Sequence, residues 1–137
     1  MAFWSSALLF LAGLAGACGV ALSAYAAHAD GGANLSTAAT FLLIHAAAVA
    51  GLCVNWTSRR GLLQAASLLM IGAILFSGDV SLRTLTGASP MRMAAPTGGV
   101  MLIVGWLWVA VAALVGKRPT PHACCNTGID PSKKSSE

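Results

Sequence analysis

Four long apolar runs constrain this chain more than any other feature of its sequence. They run from about Phe3 to Ala27, Leu35 to Trp56, Leu62 to Leu85 and Gly98 to Gly116. A helix needs roughly 20 mainly apolar residues to cross ~30 Å of hydrocarbon at ~1.5 Å per residue, and each run is about that long. Soluble domains carry roughly 25% charged residues. Here 9% are charged and 57% are hydrophobic, with a mean hydropathy of +0.77, so too few polar residues exist to coat a water-soluble exterior. The expected fold is all-α and integral to the membrane. Four transmembrane helices form an antiparallel bundle over residues 1–116, and residues 117–137 form a flexible cytoplasmic tail with too little apolar surface to fold.

The formal charge of +4 does not imply a nucleic-acid partner. The eight Lys and Arg gather at a few places and are not interleaved with aromatics. Arg59 and Arg60 fall between the second and third runs, and Lys117, Arg118, Lys133 and Lys134 follow the fourth. Only Arg83 and Arg92 fall on the other side. The excess of basic residues therefore predicts that both termini and the middle loop face the cytoplasm of a bacterial inner membrane. The first run is expected to be retained and not cleaved as a signal peptide. No Lys or Arg precedes it, and it is longer than the apolar core of a typical signal.

Small residues recur at helical spacing. Gly13, Ala17, Ala21 and Ala24 lie on one face of the first helix, and Gly98, Gly105 and Ala112 repeat every seven residues along the fourth. Such seams let helix backbones approach closely in lipid, so these positions are read as helix-packing residues. Cys18 and Cys53 lie within apolar runs and read as small packing residues; His122, Cys124 and Cys125 lie in the tail. Asn34 or Ser36 is placed to cap the second helix, and Pro96 to open the fourth.

Few ionisable groups fall within the spans, which makes each one a functional candidate. His45 is the only one in the second run and lies near the bilayer midplane. Asp79 and Arg83 are four residues apart near the outer end of the third run, so they share a helix face and can pair. His28 and Asp30 follow the first helix at the same end. His28, His45, Asp79 and Arg83 are thus the candidate intramembrane polar cluster. It can serve as a proton or ion relay, or as hydrogen-bonding glue between helices, and glue is favoured because one His and one interfacial ion pair make no continuous path. A metal site is not expected, because Arg83 competes for the Asp79 carboxylate and two His alone supply too few ligands. No catalytic triad or phosphate loop occurs, so no catalytic residue and no cofactor is implied.

Several short motifs carry a family likeness in their order. They are Gly16-Ala17-Cys18-Gly19 through Ala24-Tyr25-Ala26-Ala27-His28-Ala29, then Ile44-His45-Ala46, Phe76-Ser77-Gly78, Leu85-Thr86-Gly87, Ala95-Pro96-Thr97-Gly98-Gly99 and Gly105-Trp106. With them the chain resembles, from roughly Gly13 to Leu114, the bacterial family called domain of unknown function 423, which is related to the eukaryotic transmembrane protein 256. The resemblance implies a four-helix inner-membrane protein with no assigned activity. Relatives commonly read Gly-Ala-Phe-Gly-Ala-His where this chain has Tyr25-Ala26-Ala27-His28, and many carry an aromatic and Gln ahead of the second-helix His, where this chain has Phe41-Leu42-Leu43-Ile44. Together these features predict an accessory or structural subunit of a membrane complex, or a small homo-oligomer, whose partners are the lipid bilayer and another membrane protein or a second copy. The alternative is a small transporter or channel component with a His/Asp polar path.

Overall fold

A computed structural model describes residues 2–29, 32–55, 60–87 and 93–115. Four helices fill these segments: α1 Ala2–Ala26, α2 Gly32–Asn55, α3 Arg60–Thr86 and α4 Ala94–Val115. All four are long and apolar enough to cross a membrane. The boundaries follow the apolar runs closely, with α2 starting three residues and α4 four residues earlier than expected.

Those shifts have local causes. The Gly32 amide donates to the Ala29 carbonyl at 3.1 Å, which ties the start of α2 to the end of α1. A side chain at Gly32 would run into the Ala26 carbonyl, which is why the turn needs glycine. Asn34 and Ser36 therefore lie inside the first turns of α2 and not at its cap. Pro96 still falls in the first turn of α4, where its missing N–H leaves no bond unmade, but Ala94 opens the helix. At the end of α3, Gly87 takes the left-handed conformation (φ 68°) and its amide donates to Arg83 O at 3.0 Å, a glycine C-cap.

The helices pack in sequence order. α1 lies along α2, α2 along α3, and α3 along α4, while α1 touches α3 only lightly. Consecutive helices are antiparallel. Ser5 of α1 donates to the Cys53 carbonyl of α2, whereas Gly19 meets Leu43 and Ala39 at the other end. Likewise Gly98 sits against Phe76, and Gly105 against Leu69. Among the described residues, the backbone of α4 closely approaches only α3.

The core runs along α3. Leu69, Met70, Leu35, Val49 and Cys53 are completely enclosed, together with Ala66 and Ala73. Outside it, large apolar side chains face outward on every helix, among them Phe3, Phe10, Ile44, Ile71, Ile103 and Leu114. Water would not tolerate so continuous an apolar surface, but acyl chains match it.

Glycines make the α3–α4 seam possible. A methyl group at Gly98 would come within 2.7 Å of the Phe76 amide nitrogen and 2.9 Å of the Gly72 carbonyl oxygen. At Gly105 it would strike Leu69 at 2.7 Å. Both positions are buried and Ala112 is half-buried. α1 behaves differently. Gly13, Ala17 and Ala21 are exposed, and the contact with α2 uses Ala12, Ala15 and Gly19. Among the described residues, the small-residue face of α1 thus packs against nothing.

Candidate functional site

The Phe41 and Phe76 rings, with centroids 4.7 Å apart, fix the register of α2 on α3. His45 lies one turn beyond Phe41, and Asp79 nearly one turn beyond Phe76. Because the helices are antiparallel, these steps point in opposite directions and separate His45 from Asp79 by about 10 Å along the bundle.

His45 is buried near the middle of α2 and has a partner for each ring nitrogen. Its Nδ1–H donates to the Phe41 carbonyl at 2.7 Å, one turn back on its own helix. Its Nε2 accepts from the indole N–H of Trp106 on α4 at 3.3 Å. Since Nε2 must offer a lone pair to an indole that can only donate, this network assigns the neutral Nδ1–H tautomer. The two mid-membrane polar side chains satisfy each other, and in doing so they tie α4 to α2 across the edge of α3.

Asp79 and Arg83 form the expected pair, with Nη2 of Arg83 3.2 Å from the carboxylate. The Asp79 side chain is 3% exposed and that of Arg83 53%. The carboxylate is therefore deeper than its place near the helix end suggested, and the long guanidinium side chain spans the distance from the rim. His28 is exposed in the turn after α1, at the same end of the bundle as Arg83 because α1 and α3 run in the same direction. Asp30 lies outside the described residues, as do Trp56, Arg59, Arg92 and the tail with His122, Cys124 and Cys125. The geometry joins Asp79 to Arg83 and His45 to Trp106. Among the described residues, no three His, Cys, Asp or Glu side chains converge as a metal site.

Sequence reasoning missed Trp106 as a partner. The available signal was its own indole N–H, a donor placed mid-span that needs an acceptor. It also missed two serines. Hydroxyls within these helices usually donate to the carbonyl four residues back, as Thr37, Thr40, Ser67, Thr84 and Thr86 all do at 2.7–3.0 Å. Ser77 and Ser81 do not. Both hydroxyls are buried without a hydrogen-bond partner among the described residues, and an orphaned polar group of this kind costs about 1–3 kcal/mol. They line a cavity of about 390 Å³ between α1 and α3, whose floor includes Leu42 of α2. Cys18, read from sequence as a packing residue, is exposed along the same cavity.

Fold and side-chain network together define a four-helix integral membrane protein in which a His45–Trp106 hydrogen bond joins α2 to α4. Residues 15–99, more than half of the chain, match the family described as "Protein of unknown function (DUF423)", and the chain belongs to that family. It is also 36% identical over 61 residues to UPF0382 membrane proteins from two strains of Staphylococcus epidermidis. That match covers 44% of this chain and 43% of each relative, so the chain spans less than half the length of the curated relatives it matches. No solved structure matches it.

Proposed function

We propose that this protein is a non-enzymatic membrane component that acts by packing, as a small homo-oligomer or as an accessory subunit of a larger membrane complex. The observation that carries this reading is the outward face of α1. Gly13 and Gly16 have open space where a side chain would stand, and Ala17 and Ala21 are exposed beside them. Glycine in a helix interior costs about 1 kcal/mol relative to alanine, and no neighbour among the described residues requires it at these two positions. A second helix approaching from outside would, because small residues are what let transmembrane backbones come together.

A transport role has less support. A relay through His45 would have to break its bond with Trp106 each time Nε2 took up a proton. The proposed setting is the bacterial inner membrane, with both termini and the α2–α3 loop cytoplasmic, as the distribution of basic residues favours.

Purification in mild detergent with mass determination by light scattering tests the packing role. A dimer, a higher oligomer or a stoichiometric partner is expected, and the double variant Gly13→Leu/Ala17→Leu should shift the protein to a monomer. A wild-type monomer without any partner would refute the reading. So would cation flux in proteoliposomes that disappears in His45→Ala, which would favour transport instead.

A further inference from the structure

The cavity between α1 and α3 has a polarity gradient along its length. At its lower end, Trp4 donates to Ser67 at 3.2 Å and pins the two helices together. Above this contact they leave room for the cavity, lined on α1 by Leu11, Leu14, Cys18 and Leu22 and on α3 by Ile74, Ser77 and Ser81. Leu11 and Leu14 stand near the middle of α1, so the lower part of the cavity is wholly apolar and mid-membrane. The two unpartnered hydroxyls are nearer the membrane surface. Ser77 is 2% exposed, and Ser81 is one turn closer to the end of α3.

From these features we infer that the cavity is a binding site for one acyl chain of a glycerolipid, with the lipid's ester carbonyl accepting hydrogen bonds from Ser77 and Ser81. Three observations fit this occupant. From Leu11 to Leu22 the cleft extends ~16 Å along α1, about the depth of one leaflet of a ~30 Å hydrocarbon core. Exposed Leu11, Leu14 and Ile74 form the rim, so the cleft opens sideways into lipid. Its gradient also has a lipid's own direction, with hydrogen-bond donors toward the surface and hydrocarbon toward the midplane. Among the described residues no charged side chain lines the cavity, so the site reads the ester and the chain and ignores the headgroup charge. The site does not depend on self-association, because the small-residue face of α1 is a different face of that helix.

The test uses the full-length protein in phosphatidylcholine vesicles doped with a phosphatidylcholine that carries a diazirine in mid-chain. Photolysis and peptide mass mapping should place adducts on Leu11, Leu14, Cys18 and Leu22 in preference to Ile103 and Leu107, which are exposed at mid-span on α4 and away from the small-residue face of α1. Gly78 borders the cavity and has open space above its Cα, so Gly78→Leu should fill the cleft without a clash and abolish that preference. Ser77→Ala/Ser81→Ala keeps the shape and should lower cleft labelling about fivefold through the two lost hydrogen bonds. Membranes of diether phosphatidylcholine, which lacks the carbonyl, should reproduce that loss in the wild type. Cleft labelling no greater than that of Ile103 and Leu107, a cleft shielded from label as a second copy would shield it, or equal labelling in ester and ether membranes would overturn the inference.

Discussion

The α3–α4 seam and the outer face of α1 are both written in small residues, yet the fold uses only one of them. At the seam, Gly98 and Gly105 are in contact where a methyl group would stand, at 2.7 Å from the Phe76 backbone and from the Leu69 side chain respectively. On α1, Gly13 and Gly16 have nothing within 4 Å. The same residue type therefore marks a contact made within the chain in one region and an unfilled approach surface in the other. What separates them is the space above the Cα atom, not helical spacing.

The largest test of this contrast is Gly98→Leu. A Leu side chain would meet backbone on α3, which cannot rotate away, so the hairpin must open. Overpacking of this kind costs about 1–3 kcal/mol and occasionally more, and Gly98→Leu belongs at the upper end. Loss of helicity on titration with denaturing detergent should occur far earlier than in wild type. Gly13→Leu should leave that titration unchanged while weakening self-association about tenfold, as read by energy transfer between labelled copies in vesicles. If Gly13→Leu unfolded the monomer, or Gly98→Leu did not, the distinction between the two faces would fail.

Next in size is the link between α2 and α4. Trp106→Phe removes the indole donor and should cost about 0.6–1.7 kcal/mol, the range for hydrogen bonds between membrane helices. A double-mutant cycle with His45→Phe should recover a coupling of similar size, and additive effects would show that the two side chains do not stabilise each other. The smallest expected effect is at Gly99. It adjoins Gly98 in sequence but has open space, so Gly99→Ala should stabilise the helix by up to about 1 kcal/mol. Opposite signs at adjacent glycines would be the sharpest form of the comparison.

Much of the fold could be read from sequence because hydrocarbon thickness imposes a length on each span. The Asp79–Arg83 pair was legible from four-residue spacing, the depth of His45 from its distance along α2, and the α3–α4 seam from Gly98 and Gly105. The faces of α1 were not legible. In a water-soluble helix the apolar stripe points to the core, but here lipid-facing and protein-facing positions are equally apolar, so periodicity carries little direction. Gly13 and Gly19 look equivalent in sequence, and only the placement of α2 distinguishes them. Partners across helices were hidden for a related reason. That His45 meets Trp106 follows from which helices are neighbours and in what register, and this is fixed by contacts such as Phe41 on Phe76 that no local pattern announces.

The marginal position of α4 bears on how the molecule comes apart. Among the described residues its backbone approaches only α3 and one indole joins it to α2, whereas α1, α2 and α3 share most of the buried residues. Separating α4 disrupts the glycine seam and one hydrogen bond but leaves the α1–α2 and α2–α3 contacts intact. Its contact with α3 is nonetheless as extensive as that between α1 and α2, so α4 stays attached for as long as the glycine seam holds.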